Sequence, residues 1–393
     1  MKSTILAAMC CLLVLCACRD DKDDEPREVE RAVLVYMACD NNLDSQVRGD
    51  LYEMTEGSKL LGDDCALVAF IDRQHEKPYI IEIAKGDTIR LETYDEEMDL
   101  SDPETLRMAM QWFTCRYQAK SYGLVLWGHA DGWTIHDSHA SEPSVRRAYG
   151  VDVTDGSQWM DITDMAEVLS DFPKLKFIFA DCCAFMSVES MYELRRVADY
   201  IIGSPAEIPA EGAPYHTVVP MLFSQQPNFY QQIADAYFAQ KTYDNHHEPM
   251  AVVRTSEMER LAAATKDMLA SFVPMLPNPA LPDVGGLIYY YKHTLFDMND
   301  FFLLHADDEV YRMWRQVFDE AVVYTTYSPR WRARYVSFID FEISEQRYGG
   351  LNMYVPQDPS SLYQNYAETA EMQASTISRM QWYQAAGLDK VGW

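Results

Sequence analysis

The chain has 393 residues, and 48% of them are hydrophobic, which is enough apolar side chain for at least one large core. It carries 61 Asp and Glu against 33 Lys and Arg, which gives a formal net charge of −28. This balance excludes a large nucleic-acid footprint, because phosphate binding needs clustered Lys and Arg.

The first 18 residues have the pattern of a signal peptide. Lys2 supplies the charged start, and residues 5–17 form an apolar stretch that is too short to span a bilayer. The sequence LCAC, which ends at Cys18, resembles the bacterial lipobox, and this resemblance implies that Cys18 is acylated and anchors the mature chain. Residues 19–30 are charged and lack apolar periodicity, which predicts a flexible acidic spacer. This spacer resembles the export tag of Gram-negative surface lipoproteins, so we expect an outer-membrane lipoprotein that faces outward.

From residue 31, short apolar runs alternate with amphipathic ones, which is typical of an α/β fold. Strands are predicted at 32–39, 65–72, 79–83, 123–127, 174–180 and 199–205, and helices at 101–118, 160–172 and 186–198. A strand, a helix and a strand at this spacing form a βαβ unit. We therefore expect strands 123–127 and 174–180 to be parallel members of one sheet that is covered by helices on both faces.

Beyond residue 213 the pattern is less regular. Helix-like runs occur at 227–239 and 250–273, and a Pro- and Gly-rich connector follows at 274–286. We predict one domain at 31–273 and a C-terminal region at 287–393 that packs on it. The C-terminal region is rich in aromatic residues, whose commoner use is core packing, although a binding surface uses them too.

Two of the predicted parallel strands end at residues that are capable of chemistry. His129 follows the strand at 123–127, and Cys182 and Cys183 follow the strand at 174–180. Ligands of open parallel sheets bind beyond the carboxyl ends of the strands, so the imidazole and a thiol can meet there. A nearby histidine activates a thiol, and a helix that begins just after Cys183 would favour the thiolate. Each residue alone is more often structural, but the pair predicts an active site.

The cysteine count supports a free thiol. Outside the signal peptide the cysteines are Cys39, Cys65, Cys115, Cys182 and Cys183. An odd number in an exported chain leaves at least one unpaired. Adjacent residues at a strand end point in opposite directions, so Cys182 and Cys183 are poor disulfide partners.

Five stretches resemble, in order, the landmarks of the clostripain-like cysteine peptidases: YMACDNNLD, DPETLRMAMQWF, LVLWGHADGW, FADCCAFMSVESMYELRRVADYIIGSPAEIPAEGAPY and GLNMYVP. The resemblance spans roughly residues 31–356. It implies a caspase-like three-layer sandwich with a mostly parallel sheet, and an endopeptidase that cleaves after Arg, or Lys, through a His-Cys dyad. In the family's motif, His129 takes the place of the base and Cys183 that of the nucleophile, and Glu189 matches a later glutamate that fixes this alignment. An alignment shifted by one residue would make Cys182 the nucleophile.

The same resemblance assigns the substrate pocket and the oxyanion hole. Asp181 and Glu211 are expected to bind the basic P1 side chain, and the longer Glu211 would make the pocket shallower. The backbone N–H groups of Ala130 and Cys183 are expected to hold the oxyanion. Relatives usually have glycine at the position of Ala130, so a loop that needs positive φ there would be strained by about 1 kcal/mol or more.

The loop after His129 contains Arg146 and Arg147. Relatives often cut themselves in this region, so we expect self-cleavage after Arg147 or Arg146, the alternative being an ordinary charged loop.

No cofactor is required on this interpretation. Some relatives need calcium, and an acidic stretch could bind it weakly as an activator; its residues are Asp152, Asp155, Asp161 and Asp164. The histidines that suggest zinc lack the spacing of a zinc site and are expected at the surface; they are His136, His139, His246 and His247.

Two other functions fit the sequence. A surface lipoprotein could keep the peptidase fold and bind peptides or proteins without turnover, as the departures at Ala130 and Glu211 allow. An esterase or transferase could use the same dyad with another acyl acceptor. The intact His129 and Cys183 favour the peptidase, whose partners are peptide or protein substrates and a membrane lipid anchor. The sequence does not indicate an oligomeric state.

Overall fold

A computed structural model describes residues 25–135, 149–154, 158–240, 247–291, 294–334, 337–340 and 344–393. The strands are β1 (Arg27–Cys39), β2 (Cys65–Arg73), β3 (Tyr79–Ala84), β4 (Asp87–Thr93), β5 (Tyr117–Gly128), β6 (Tyr149–Asp152), β7 (Gln158–Met160), β8 (Leu175–Asp181), β9 (Ala198–Gly203), β10 (Met250–Arg254), β11 (Tyr289–Tyr291), β12 (Leu295–Asp297), β13 (Val322–Thr326), β14 (Arg330–Arg334), β15 (Ser337–Asp340) and β16 (Asn352–Tyr354). The helices are α1 (Val47–Ser58), α2 (Pro103–Arg116), α3 (Ile162–Ser170), α4 (Val188–Glu193), α5 (Tyr215–Leu222), α6 (Phe229–Ala239), α7 (Met258–Phe272), α8 (Met298–His305), α9 (Asp308–Ala321), α10 (Gln364–Thr376), α11 (Gln381–Ala385) and α12 (Leu388–Val391).

A nine-stranded sheet forms the centre of the fold, in the order β13-β10-β9-β8-β5-β1-β2-β3-β4. The five middle strands from β9 to β2 are parallel, and antiparallel strands extend the sheet at both edges. Strands β5 and β8 are direct neighbours, with Trp127 opposite Asp181. The predicted parallel pair is therefore confirmed.

Alternate residues of β1 pack into two separate cores, one on each face of the sheet. Leu34 and Tyr36 belong to a cluster that includes residues of α2, α3, α7 and α9, whereas Val33 and Val35 belong to a cluster with α1, α5 and α6. This division follows from the strand geometry, in which successive side chains point to opposite faces. The predicted three-layer α/β fold is confirmed.

Two predicted elements differ from the structure. Residues 250–273 were expected to be helical, but Met250–Arg254 form a strand that is buried between β9 and β13, and only Met258–Phe272 form a helix. Periodicity alone does not separate a short buried strand from a helix segment. The helix predicted at 186–198 ends at Glu193, and a short 3-10 turn leads into β9.

The C-terminal region shares the core of the rest of the chain. Its strand β13 is hydrogen-bonded to β10 at the edge of the main sheet. The larger buried cluster contains residues from Val29 to Trp393. Aromatic side chains of this region, including Phe301, Trp314 and Trp331, are buried, so they serve packing.

Candidate active site

The carboxyl ends of β5 and β8 open into one cleft with a volume of about 170 Å3. Trp127 in β5 lies opposite Asp181, the last residue of β8. His129 is two residues beyond Trp127, and Cys183 is two residues beyond Asp181. Both side chains line the cleft, as expected for neighbouring parallel strands. The full lining is Asn42, Leu43, Trp127, Gly128, His129, Asp181, Cys183, Ile208, Pro209, Ala210, Gly212 and Arg332.

The two adjacent cysteines have different surroundings, although both are free thiols. Cys182 is completely buried and belongs to the apolar core. Cys183 is partly exposed and lines the cleft. A molecule in the cleft can therefore reach Cys183 and not Cys182. Cys183 is the residue that the sequence resemblance predicts as the nucleophile.

The Cys183 thiol is held against the loop that follows β9. The Ile208 N–H donates to its Sγ at 3.4 Å, and Sγ lies 3.8 Å from the Ile208 carbonyl oxygen. Burial raises the pKa of this thiol above its ordinary value, and the negative charge of Glu207 adds to the effect. The expected helix field does not offset this, because α4 begins at Val188, five residues after Cys183. The cleft without substrate therefore holds a thiol.

His129 is bonded to the turn that follows β1. Its Nε2 lies 2.6 Å from Oδ1 of Asn42. A carboxamide oxygen only accepts, so Nε2 carries the hydrogen and Nδ1 is the basic nitrogen. Burial lowers the pKa of His129, and the charge of Asp131 opposes the shift. The imidazole is therefore neutral at pH 7.

No hydrogen bond joins His129 to Cys183 among the bonds found in the described part of the chain. The two groups line the same cleft as a neutral imidazole and a neutral thiol. Catalytic hydrogen bonds often tighten only when substrate is bound, so this arrangement is compatible with a dyad. A substrate carbonyl between them would bring the proton transfer and the attack together.

Ala130 adopts an ordinary backbone conformation. It is absent from the described residues with positive φ, whereas Gly128 has φ 152° and Gly132 has φ 84°. The strain considered for Ala130 therefore does not arise. The neighbouring His129 carbonyl accepts from the Gly150 N–H at 2.8 Å, which ties this loop to β6. The alanine with positive φ is instead Ala184, which follows Cys183 and has φ 51°.

Asp181 forms a buried acidic floor in the cleft. Its Oδ2 accepts hydrogen bonds from the Tyr215 hydroxyl at 2.7 Å and from the Ala213 N–H at 3.1 Å. Its Oδ1 is buried and accepts neither of these hydrogen bonds, and the Tyr237 hydroxyl is a further, weaker partner of the carboxyl group. Burial raises the pKa of Asp181 to about 6, although the hydrogen bonds from Tyr215, Ala213 and Tyr237 lower it. A cationic group that entered the cleft would meet this buried carboxyl group.

Glu211 is placed differently from Asp181. It is exposed and is not among the residues that line the cleft, although Ala210 and Gly212 on either side of it are. Gly212 has φ 57°, and a Cβ atom at this position would lie 2.8 Å from Oδ2 of Asp181. The loop can approach the aspartate closely because residue 212 has no side chain.

Three further residues of the site were not identified from the sequence. Asn42 and Arg332 line the cleft, and Asp50 accepts a 2.6 Å hydrogen bond from Trp127 Nε1 directly beside it. Burial and the charge of Asp181 raise the pKa of Asp50 to about 8. The sequence could have indicated Asn42, because it follows a predicted strand that ends at the same edge of the sheet. No pattern in the sequence indicates Arg332, since β14 lies far along the chain from the other residues of the cleft.

Several predicted features lie outside the described residues: Cys18, Arg146, Arg147, Asp155, His136, His139 and His246. His247 is described, and its Nδ1 lies 2.6 Å from the Phe238 carbonyl oxygen. In the part of the chain that the structure describes, no helix has the length and apolar character needed to cross a membrane.

The sequence profile of the clostripain family matches residues 35–386. A secreted C11 cysteine protease from Bacteroides thetaiotaomicron, solved with an irreversible peptide inhibitor, superimposes with a TM-score of 0.77 at 27% identity, covering 92% of this chain and 99% of that one. An inactive zymogen C11 protease from Parabacteroides distasonis gives a TM-score of 0.74 at 28% identity, with the same coverage.

A second secreted C11 cysteine protease from Bacteroides thetaiotaomicron shares the fold at 21% identity, with a TM-score of 0.74 over 92% of this chain and all of that one. No curated protein matches the sequence. The fold is therefore the caspase-like fold of C11 proteases, as the resemblance implied, and the family match extends over most of the chain. This protein belongs to the clostripain family and is a cysteine peptidase.

Proposed function

We propose that this protein is an endopeptidase that cleaves after basic P1 residues, Arg or Lys, through His129 and Cys183. The observation that carries the proposal is the buried carboxylate of Asp181, which lines the cleft that also holds the thiol. A buried carboxylate pairs best with a guanidinium, because two parallel hydrogen bonds and the opposite charge repay its desolvation. Glu211, exposed beside Gly212, adds negative charge at the rim.

The reaction is an acyl transfer. His129 takes the proton of Cys183, and Sγ attacks the carbonyl carbon of the P1 residue, which forms the C–S bond. The backbone N–H groups of Ala130 and Cys183 hold the oxyanion, and His129 gives its proton to the leaving amine as the C–N bond breaks. Water, deprotonated by His129, then cleaves the thioester. The P1 acid leaves and the thiol is restored.

Activation by self-cleavage is part of the proposal. Arg146 and Arg147 provide the basic P1 residue that the cleft would accept, and cleavage after either leaves two associated chains. One similar structure is described as an inactive zymogen of a C11 protease, which supports a processing step here. Intact mass of the purified protein should give two chains, whereas Cys183→Ala protein should stay whole. A single chain in active wild-type protein would contradict self-cleavage.

We also propose that the protein is exported and anchored at the outer membrane through Cys18. Two similar structures are described as secreted proteases, which supports export. Metabolic labelling with a palmitate analogue should mark the wild-type protein and not Cys18→Ala. Protease treatment of whole cells should then remove the labelled protein if it faces outward.

The central test is hydrolysis of fluorogenic peptides that differ only at P1, with Arg, Lys or Gln, in the presence of reductant. We expect turnover with Arg or Lys and almost none with Gln, and complete loss in Cys183→Ala. Asp181→Asn keeps the shape of the side chain and should lower kcat/KM for the basic substrates by about 100-fold, since it leaves a buried cation without its partner. Equal turnover of the Arg and Gln peptides would rule out the proposed specificity.

A further inference from the structure

The active-site cleft carries a positive side chain as well as a negative one. Among the described residues that line it, Arg332 is the only lysine or arginine, and Asp181 is the only acid. Arg332 is half-buried, whereas Asp181 is 3% exposed. A cleft that took only a basic side chain would need the carboxylate alone. The guanidinium therefore indicates that a second group of the substrate is recognised.

The strand β14 determines the direction in which Arg332 points. Its neighbours in the strand, Trp331 and Ala333, are both 0% exposed and belong to a small core with Tyr290. Trp331 is fixed there, because its Nε1 donates a hydrogen bond to the Tyr289 carbonyl at 3.1 Å. Successive side chains of a strand point to opposite sides, so Arg332 points away from this core and into the cleft.

Residues 207–213 connect the Arg332 end of the cleft to the Asp181 end. The first of them pairs with Arg332 in an isolated antiparallel β-bridge, and the second donates its N–H to Cys183 Sγ at 3.4 Å. The last donates its N–H to Asp181 Oδ2 at 3.1 Å. A peptide whose carbonyl lies at Cys183 can therefore place its P1 side chain on Asp181 while a neighbouring residue contacts Arg332.

The two opposite charges of the cleft do not neutralise each other. Among the ion pairs and hydrogen bonds found in the described part of the chain, none joins Arg332 to Asp181. The groups that lower the pKa of Asp181 are Tyr215, Ala213 and Tyr237, and not a guanidinium. A guanidinium has five N–H donors in a fixed fork, so Arg332 can bond to a protein group and still hold a group of the substrate.

We propose that Arg332 is a specificity-determining residue that binds a substrate carboxylate, the side chain of an Asp or Glu within two residues of the basic P1 residue. A carboxylate is the planar partner that a guanidinium holds with two parallel hydrogen bonds. The net charge of −28 repels acidic peptides in general, so the preference comes from this local contact. The inference rests on the proposed function, which supplies the basic P1 residue.

Peptides that all have Arg at P1 test this preference. Each carries Asp or Asn at one position, P3, P2, P1′ or P2′, and its ends are acetylated and amidated, so the side chain is the only carboxylate. Cleavage is followed by chromatography. We expect kcat/KM to be about tenfold higher for the Asp peptide than for its Asn partner at one position or more. Equal values at all four positions would overturn the inference.

Binding separates this inference from the proposed function. The Cys183→Ala protein lacks the thiol, and its Kd for the same labelled peptides is measured by fluorescence anisotropy. We expect the Asp peptide to bind about tenfold more tightly at the position that the cleavage assay identifies. Failure of wild type to cleave any peptide with Arg or Lys at P1 would count against the function, and a preserved Asp preference in binding would still support Arg332. Binding without such a preference would contradict it.

Variants of β14 locate the contact. Arg332→Gln removes the charge and should bring the ratio of kcat/KM for the Asp and Asn peptides close to one. Arg330→Gln is the matched control, because it removes the same charge from an exposed residue of the same strand that does not line the cleft, and it should keep the wild-type ratio. A wild-type ratio in Arg332→Gln, or a loss in both variants, would rule out a specific contact.

The salt dependence of the wild-type enzyme tests the same contact without any substitution, even if Arg332→Gln does not fold. Both peptides of a pair have Arg at P1, so the effect of salt on the P1 contact cancels in their ratio. Raising the salt to about 1 M screens charges beyond about 3 Å and should lower the ratio. A ratio that does not respond to salt would mean that the preference is not electrostatic and would exclude the guanidinium as its source.

Discussion

Asn42 Oδ1 lies 2.6 Å from His129 Nε2 and joins the turn after β1 to the end of β5. The contact fixes the plane of the imidazole and assigns its hydrogen to Nε2. On the proposed mechanism, Asn42 therefore acts on the reaction through His129, as a positioning residue.

Replacing Asn42 tests this role. Asn42→Ala should lower kcat/KM by about tenfold, because the ring loses the bond that orients it. Asn42→Asp keeps an acceptor and adds a negative charge, so it should restore orientation while raising the pKa of His129. The acid limb of the kcat/KM profile should then move to higher pH in Asn42→Asp. Unchanged kinetics in both variants would show that the contact has no role.

The two cysteines should differ sharply. Cys183→Ala removes the thiol that lines the cleft and should abolish turnover, whereas Cys182→Ala should keep it. Cys182 is fully buried, so its replacement by the smaller alanine should instead cost about 1 kcal/mol of unfolding free energy. Peptide hydrolysis and urea unfolding measure the two effects. The reverse pattern in the hydrolysis assay would place the nucleophile at Cys182.

The pH dependence of kcat/KM should report His129. The base must be unprotonated to act, and burial lowers its pKa below the ordinary value of 6.5. The active form therefore persists as the pH falls below 6.5, and activity is lost only when the pH passes the lowered pKa. We expect the midpoint of the acid limb below pH 6.5, measured with a substrate that does not titrate in this range. A midpoint above pH 6.5 would mean that nearby negative charge raises the pKa of His129 by more than burial lowers it.

Gly212 should be required for the substrate pocket. A Cβ at this position would meet Asp181 Oδ2 at 2.8 Å, so Gly212→Ala should push the loop away from the aspartate and raise KM for Arg peptides. Gly286→Ala is the matched control, because Gly286 also has positive φ, 76°, but nothing lies within 4 Å of the added Cβ. Both variants should lose about 1 kcal/mol of stability to backbone strain. Only Gly212→Ala should change KM. Equal effects of the two variants on KM would show that backbone strain, and not the approach to Asp181, is the cause.

The sequence by itself determined the main architecture. Apolar runs of strand length that alternate with helices of period 3.6 predicted the parallel neighbours β5 and β8, and the strand-end rule brought His129 and Cys183 to one edge. Opposite side-chain directions in adjacent residues also separated Cys182 from Cys183. These features depend on short stretches of sequence, or follow from one rule about parallel sheets, so they can be predicted without the tertiary structure.

Only the tertiary structure decided which distant residues meet. The strand β10 has a local pattern that a helix also allows, and its place between β9 and β13 made it a strand. Asn42 reaches His129 and Arg332 enters the cleft because loops and strands far apart in the chain converge at one edge of the sheet. Such convergence depends on the packing of the whole sheet and its loops, which no local periodicity encodes.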